Sequence, residues 1–396
     1  ARPTPRARPR AARPSAAAGR PRAGGAAQAN AASRRRIAFS DVHGSLDYLL
    51  LLERALELKP SDVLFPVGDY LERCMDSLGT LREIIRLCDT YESYPVLGNC
   101  DNYVLWMLSD DPDAEVWFGR CLGIIDSDLA PTWGTRFLHN VCDEMGLRPD
   151  ADTDLHAFRA AVNEYCAREL SWLRNLPTIA ADEHFLFVHG GVPHEDLDML
   201  AETDAYGLMK RDGFMDEGSV FSRWVVCGHW PVTLYHADHP NAAPYINTRQ
   251  HIIGLDGGCG IKLDGQLNAL VIEGDSFRSV MVDRFPEYTA LEDQKASDTS
   301  VNIRWGDHRV RLLERVRDCA YVEHLSSGRR LWIPAEFLFR KNEGSVWEIK
   351  DATDYRLPVS AGERLKLIRA TTRGMLIKKN GVTGWYEGKL AGVESI

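Results

Sequence analysis

The sequence predicts an α/β layered fold followed by a smaller all-β region. Short apolar runs typical of buried strands alternate with helical patterns, and most of these runs end in polar clusters. After about residue 286 the pattern changes to short alternating strands separated by Gly and Asn turns. With 396 residues, 44% of them hydrophobic, the chain is long enough for two to three structural units.

The first 36 residues differ in composition from the rest of the chain. They contain ten arginines and no acidic residue, and their Ala, Arg, Pro and Gly content buries too little apolar surface to offset the entropy of ordering. We expect a disordered tail without a structural role, the alternative being a basic arm that touches nucleic acid or a partner. The remaining chain has 37 basic residues against 57 acidic ones. We therefore expect neither a membrane nor specific nucleic acid as a partner.

The apolar runs and the cysteines indicate the cellular compartment to expect for this protein. No run approaches the length of about 18 apolar residues that a membrane span needs, and no secretory segment is evident near the N-terminus. We therefore expect a cytoplasmic protein. The nine cysteines are scattered without a CxxC pair, so we expect reduced thiols rather than a disulfide framework or a zinc finger.

The predicted elements of residues 37–285 follow one another as strand, helix and strand. Residues 46–58 predict a helix that begins after Ser45 and ends before Pro60. This alternation favours a layered α/β fold. The apolar runs predict buried strands at 37–40, 63–67, 94–97, 185–188, 224–227 and 252–255.

Residues 102–178 interrupt the alternation with helical material. Segments 136–145 and 155–176 have apolar residues at near-helical spacing, so we expect a helical insertion packed over or beside the sheet. We expect its aromatic side chains to belong to the core, the alternative being a platform on which a nucleobase stacks. These aromatic residues are Trp106, Trp117, Phe118, Tyr165 and Trp172.

Five of the predicted strands end at polar clusters. In open α/β sheets, ligands bind beyond the carboxyl ends of strands, so the clusters can converge on one crevice. Asp, His and Asn together suit Mn, Fe or Zn better than a calcium site made only of oxygen. Asp69 is the natural ligand to share between two cations, which would activate water for in-line attack on phosphorus. The clusters are Asp41-Val-His43, Gly68-Asp69, Gly98-Asn99-Cys100-Asp101, His189-Gly-Gly and Gly228-His229.

The order of these motifs resembles that of the calcineurin-like metallophosphoesterases, within them the phosphoprotein phosphatase branch. The matching motifs are Asp-x-His-Gly, Gly-Asp-Tyr-Leu-Glu-Arg, Gly-Asn-x-Asp, His-Gly-Gly and Gly-His. The resemblance implies a two-sheet αββα sandwich as the catalytic domain over residues 37–285. Separately, residues 360–389 resemble bacterial SH3-like modules, which implies one or two small barrels within residues 286–396. Such a region could bind a protein partner or form a dimer contact.

The resemblance also implies a role for each matching residue. One divalent metal would bind Asp41, His43 and Asp69, and a second would bind Asp69, Asn99, His189 and His229. Manganese is the first expectation for both metals, with iron or zinc as alternatives. Arg73 would hold the substrate phosphate, and on a looser match Arg211 would be a second phosphate clamp.

Two positions depart from the family pattern. Glu72 stands where the family has an aspartate, and Cys100 stands where the family has the histidine that protonates the leaving oxygen. A thiol cannot carry the positive charge of an imidazolium, and general-acid catalysis contributes roughly 10²- to 10⁴-fold. We therefore expect aryl phosphates and activated diesters to react faster than phosphoserine.

The predicted function is that of a dinuclear metal-dependent phosphohydrolase. Its substrate would be a phosphoprotein or a nucleotide, so a protein Ser/Thr phosphatase, a dinucleoside polyphosphate hydrolase and a phosphodiesterase stay open at this point. The competing hypothesis is a non-catalytic interaction protein that works through its SH3-like region.

Overall fold

A computed structural model describes residues 34–123, 135–342 and 344–392 of the chain. The predicted N-terminal tail therefore lies, up to residue 33, outside the described residues. In chain order, the elements up to residue 282 are β1 (Arg36–Phe39), α1 (Leu46–Leu56), β2 (Val63–Pro66), α2 (Ser77–Thr90), β3 (Glu92–Ser93), α3 (Asn99–Met107), α4 (Pro112–Cys121), α5 (Arg136–Met145), α6 (Leu155–Tyr165), α7 (Ala167–Arg174), β4 (Ile179–Ala181), β5 (Phe185–Val188), α8 (Leu197–Ala201), α9 (Ala205–Met209), β6 (Trp224–Cys227), β7 (Tyr245–Asn247), β8 (Ile252–Gly254), β9 (Leu267–Glu273) and β10 (Ser276–Val282).

These strands form two mixed sheets that pack face to face. The strand orders are β10-β9-β1-β2-β3 and β4-β5-β6-β8-β7, with β1, β2 and β3 parallel in the first and β5, β6 and β8 parallel in the second. Between the sheets lies an apolar layer, in which the rings of Phe65 and Phe187 stack with their centroids 3.8 Å apart. Helices α1 and α2 pack on the outer face of the first sheet, α3 to α7 pack beside them in the same apolar cluster, and α8 and α9 cover the second sheet. The predicted αββα sandwich is confirmed.

Two predicted elements differ from the structure. The strand expected at 94–97 is reduced to a bridge between Val96 and Val67. The N–H groups of Tyr94 and Val96 still donate to the carbonyl oxygens of Leu64 and Pro66 at 2.9 Å, but Pro66 has no N–H to return to this segment, so the ladder is interrupted. The regular strand β3 lies just before it. The helix expected over 155–176 is divided into α6 and α7 at Cys166, whose backbone leaves the helical region.

The structure also bears on the state of the cysteines and on membrane-spanning helices. All nine cysteines lie within the described residues, and each is a free thiol. Within ranges 34–123, 135–342 and 344–392, no helix combines the length and the apolar character needed to cross a bilayer.

The region after the sandwich consists of two β units with separate apolar cores. Its strands are β11 (Glu287–Thr289), β12 (Asn302–Ile303), β13 (Arg309–Val316), β14 (Cys319–His324), β15 (Arg330–Pro334), β16 (Leu338–Lys341), β17 (Val346–Ile349), β18 (Ala352–Thr353), β19 (Arg364–Thr371), β20 (Gly374–Lys379) and β21 (Val382–Tyr386). One unit has the order β15-β14-β13-β17-β16 and the other β11-β19-β20-β21. Because β11 pairs with β19, the five-stranded unit is inserted between two parts of the four-stranded unit.

The all-β character of this region is as predicted, and so is its hairpin. Asn380 and Gly381 join β20 to β21, both with positive φ. Among the described residues, neither sheet closes into a barrel. The SH3-like barrels, and a protein partner or dimer contact through residues 286–396, stay predictions.

The β units hold a loop of the sandwich that follows β8. Lys262 forms an ion pair with Asp351, and Lys378 Nζ donates a hydrogen bond to the carbonyl oxygen of Asp264 at 2.5 Å. The hydroxyl of Thr383 donates to Asp264 Oδ2 at 2.7 Å. The loop is therefore fixed by both β units.

Candidate active site

A cavity of about 360 Å³ lies where loops that follow β1, β2 and β6 meet the start of α3. Its lining residues are of two kinds, polar and aromatic, and we call these two groups its polar side and its aromatic side. The polar side consists of His43, Asp69, Glu72, Arg73, Asn99, Cys100, Lys210 and His229, and the aromatic side of Tyr103, Trp106, Trp117 and Tyr206.

Two groups of candidate metal ligands share Asp69. The first contains Asp41 and His189, and the second contains His43 and Cys100; in each group the donor atoms lie within 4.8 Å of one another. His189 Nε2 is 3.2 Å from Asp69 Oδ1, and His43 Nε2 is 3.9 Å from Asp69 Oδ2. Each oxygen of the Asp69 carboxylate therefore faces a different imidazole.

The donor atoms around Asp69 fit a divalent cation. Within the part of the chain that the structure describes, the buried Oδ1 of Asn99 has no hydrogen-bond partner, and the buried Nε2 of His189 makes no hydrogen bond despite its short distance to Asp69. A buried polar atom left without a partner costs about 1–3 kcal/mol. A cation that accepts carboxylate, imidazole and amide lone pairs would satisfy both atoms.

His229 stands at the edge of this cluster. The centroid of its ring is 5.5 Å from that of His189, and its backbone N–H donates to the Asp41 carboxylate at 3.1 and 3.2 Å. Its Nε2 lies 2.7 Å from Asp212 Oδ1, which also accepts a hydrogen bond from Lys210 Nζ at 2.7 Å. A carboxylate on one ring nitrogen fixes the orientation of the other nitrogen as a ligand. The sequence did not reveal Asp212 or Lys210.

Six residues in and beside the polar side have a backbone conformation that is rare for residues other than glycine. A left-handed residue costs of order 1–3 kcal/mol and persists only where its surroundings require it. A Cβ at Gly98 would lie 2.1 Å from the backbone nitrogen of Asp69, so glycine is needed there for the close approach of the two loops. The φ angles are 57° at Asp41, 51° at His43, 54° at Asp69, 71° at Glu72, 73° at Arg73 and 65° at His229.

Asp101 holds the loop that carries Asp69. Its buried carboxylate accepts backbone N–H groups from Asp69 and Tyr70 at 2.9 Å, and from Leu71 and Gly98 at 3.1 Å. Asp101 belongs to the Gly-Asn-x-Asp motif, but we predicted no role for it from the sequence. The sequence signal for this role is an acidic residue at the third position of a helix, where a carboxylate reaches back to the N-terminal N–H groups.

Burial and neighbouring charges shift the pKa values at this site. Burial raises the pKa of Asp41 well above its usual value, and the nearby Asp256 carboxylate raises it further. Burial lowers the pKa of His43 to about 4, so at neutral pH its ring nitrogen has a lone pair for a cation. Burial also opposes the charged form of His189, but the Asp69 and Asp41 carboxylates raise its pKa to about 10. A bound cation would replace this proton.

The two departures from the family pattern are both buried and engaged with the backbone or neighbouring loops. Burial and then the Asp69 carboxylate raise the pKa of the Cys100 thiol well above its usual value, so the thiol is neutral at pH 7. The Cys100 backbone N–H donates to Asp69 Oδ1 at 2.8 Å. The Glu72 carboxylate accepts the N–H groups of Arg136 and Phe137 at 3.0 and 3.1 Å. Glu72 therefore anchors the start of α5.

The two predicted phosphate-binding arginines lie in different places. Arg73 lines the cavity. Arg211 instead pairs with both carboxylate oxygens of Glu217, at 2.6 and 2.7 Å, and packs over the ring of Phe214. Lys210, the residue that precedes Arg211, does line the cavity and places a second positively charged side chain there.

A family model described as calcineurin-like phosphoesterase matches residues 35–253. The chain belongs to this family. The family uses divalent metal ions, and the groups around Asp69 are candidate ligands for them. The resemblance to the calcineurin-like family, inferred from the order of the motifs, is confirmed.

Two curated relatives are symmetrical bis(5'-nucleosyl)-tetraphosphatases. The one from Ralstonia nicotianae is 30% identical over 157 residues, which are 39% of this chain and 41% of the relative. The one from Paraburkholderia phymatum is 31% identical over 169 residues, 42% of this chain and 45% of the relative. This chain thus spans less than half the length of the curated relatives it matches. The solved structure of a proposed diadenosine tetraphosphatase has 21% identity and a TM-score of 0.40, and the match covers 66% of this chain and 100% of that one.

Proposed function

We propose that the chain is a metal-dependent phosphohydrolase with two divalent cations bound on either side of Asp69. The observation that carries this proposal is the position of the Asp69 carboxylate, whose Oδ1 faces His189 while its Oδ2 faces His43. When bound, such a pair of cations supplies Lewis acidity and lowers the pKa of water to near neutrality.

We assign the ligands as the motif order predicts. The 3.7 Å distance between His43 Nε2 and Asp41 Oδ1 supports a common cation for these two residues. The orphaned Oδ1 of Asn99 supports a place for this amide at the second cation. Manganese is the first choice for both, with iron or zinc as alternatives. The assigned sets are Asp41, His43 and Asp69 for one cation, and Asp69, Asn99, His189 and His229 for the other.

The protein's own side chains bind and orient the phosphate. Arg73 borders the candidate ligands, and its planar guanidinium suits two oxygens of a phosphate. Lys210 lines the same cavity and can leave Asp212 to contact a second phosphate. Arg211 has no such role in this proposal because Glu217 already holds it.

We infer that the substrate has a good leaving group and favour a dinucleoside polyphosphate. Among the described residues that line the cavity, the histidines are His43 and His229, which the proposal assigns to cations. Cys100 stays a neutral thiol of raised pKa. A phosphate leaving group, with a second pKa of about 6, departs without a proton, whereas a serine alkoxide needs one. The names of the two curated relatives support the same choice.

The test is a substrate panel with the full chain in Mn²⁺. We expect turnover of diadenosine tetraphosphate and p-nitrophenyl phosphate, and much slower turnover of a phosphoserine peptide. A diester, bis-p-nitrophenyl phosphate, tests the phosphodiesterase alternative. Bound metal without turnover of any of the four would favour the non-catalytic interaction protein.

The substitution Asp69→Asn tests the shared ligand. We expect a loss of turnover of about 10³-fold, the scale on which loss of a major charge-stabilising group acts, together with loss of bound metal. Elemental analysis and the p-nitrophenyl phosphate assay measure both. The matched control is Asp196→Asn, another aspartate that accepts backbone N–H groups but lies at the start of α8. Retained turnover in Asp69→Asn would contradict the shared role.

A further inference from the structure

The aromatic side of the cavity carries a second inference, which rests on the proposed function. We propose that this side binds the nucleobase of the substrate while the polar side binds its phosphates. Its rings come from three helices: Tyr103 and Trp106 on α3, Trp117 on α4 and Tyr206 on α9. All four border the same cavity as Asp69.

The geometry of these rings differs from that of a closed apolar core. The rings of Tyr103 and Trp106 have centroids 5.7 Å apart and planes tilted by 43°, so they do not stack face to face. The indole N–H of Trp106 donates to Asp111 Oδ2 at 3.2 Å, which ties α3 to the start of α4. Core side chains normally interdigitate until voids disappear, whereas these rings line a space of about 360 Å³.

Trp117 is the ring of this group whose removal should disturb the fold least. It is half-buried on α4, and the Arg120 guanidinium lies 5.3 Å from the centroid of its ring. Any nucleobase can stack on an aromatic ring, because every base has a π-face. A flat group held there would be joined to phosphates that reach the strand-end loops through Arg73 and Lys210.

The chemistry of the cavity favours a nucleotide over a phosphopeptide. Cationic side chains, Arg73 and Lys210, belong to the polar side, and the aromatic side consists of rings carried by helices rather than of a strand edge that could pair with an extended backbone. Its volume lies within the range of pockets that enclose one small molecule. A nucleotide, which has a base at one end and phosphates at the other, matches this division of the lining into aromatic and polar residues.

The experiment compares a phosphoanhydride with bases against one without. Diadenosine tetraphosphate and inorganic tripolyphosphate are assayed in Mn²⁺ with wild type, Trp117→Ala and Trp117→Phe. We expect the ratio of kcat/KM for the first substrate over the second to fall about tenfold in Trp117→Ala, mainly through KM, and to recover partly in Trp117→Phe. The matched control is Trp332→Ala, because Trp332 is also half-buried under a guanidinium, that of Arg373 at 3.6 Å.

A binding measurement keeps this inference separate from the proposed function. Titration calorimetry with adenosine 5'-monophosphate should give a dissociation constant about tenfold higher in Trp117→Ala than in wild type or Trp332→Ala. An unchanged constant, or an equal loss on both substrates, overturns the base site while tripolyphosphate turnover upholds the phosphohydrolase. Without turnover of either substrate the proposed function fails, and the titration alone decides about the base site.

Discussion

The polar and aromatic sides of the cavity are built from different parts of the fold. Most of the polar side lies on loops that directly follow β1, β2 and β6, where several residues have left-handed backbone conformations. Asn99 and Cys100 at the start of α3 and Lys210 just after α9 complete it. The aromatic side consists of side chains on α3, α4 and α9, which the packing of helices brings together. The difference teaches that the strand ends of a sheet fix the positions of the polar groups. The helices that pack around the sheet determine the shape of the neighbouring part of the cavity.

The largest effect we expect comes from breaking the polar side at Asp101. In Asp101→Asn an amide N–H₂ replaces one of the oxygens that accept four backbone N–H groups, so donors face donors in a buried place. We expect the free energy of unfolding to fall by about 3 kcal/mol. Displacement of the Asp69 loop should lower kcat/KM at least about 100-fold. Chemical denaturation and the p-nitrophenyl phosphate assay measure the two losses.

The control for Asp101 is an aspartate that caps a helix away from the cavity. Asp154 accepts the N–H of Ala157 at 3.0 Å at the start of α6. Because Asn caps helices nearly as well as Asp, Asp154→Asn should leave unfolding within about 0.5 kcal/mol of wild type. Wild-type turnover in Asp101→Asn would mean that the Asp69 loop keeps its shape without this carboxylate.

The same contrast explains what could be predicted from the sequence. That Asp41, His43 and Asp69 lie together could be predicted because each follows an apolar strand, and a strand's end fixes where the next residues lie. The looser family match pointed to Arg211, whereas its neighbour Lys210, just after the short helix α9, lines the cavity. A shift of one residue there decides which side chain enters the cavity. No sequence period records such a shift.

The aromatic side could not be predicted for a related reason. Helical spacing marks Trp106 and Trp117 as apolar positions, and a core-facing ring and a cavity-lining ring give the same pattern. The expectation that they pack in the core was therefore incomplete: both contact the main core cluster, and both also line the cavity. The same expectation is confirmed for Phe118 and Trp172 but is wrong for Tyr165, whose side chain is exposed and donates a hydrogen bond to Glu144. Insertion of one β unit into the other also left no periodic signal, since β11 is three residues long.

A smaller effect should follow from substitution of Asp212, which lies at the edge of the polar side. Asp212→Ala removes the carboxylate that holds Nε2 of His229, which we assign to a cation. Loss of such a partner typically lowers metal affinity 10- to 100-fold, so the Mn²⁺ concentration for half-maximal activity should rise by that factor. Because 46% of the Asp212 side chain is exposed, thermal unfolding should change little.

The control for Asp212 is the neighbouring ion pair. Glu217→Ala removes the partner of Arg211 in the same loop, but this pair does not line the cavity. It should leave the Mn²⁺ requirement unchanged, and Asp212→Asn should restore part of the affinity, because its amide oxygen can still accept a hydrogen bond. Equal Mn²⁺ requirements in wild type and Asp212→Ala would remove Asp212 from the proposed site.

The smallest effect concerns Cys100, a residue of the polar side that lies on α3 together with Tyr103 and Trp106 of the aromatic side. Its neutral thiol cannot protonate a leaving alkoxide, so Cys100→His should raise kcat/KM for a phosphoserine peptide relative to p-nitrophenyl phosphate, by about tenfold. The gain falls below the full range of general-acid catalysis because the new imidazole has no partner selected to orient it. Cys100→Ser, which is small and neutral, should leave this ratio near that of wild type. If the ratio stays the same in Cys100→His as well, the leaving group does not limit the choice of substrate, and the aromatic side must account for it alone.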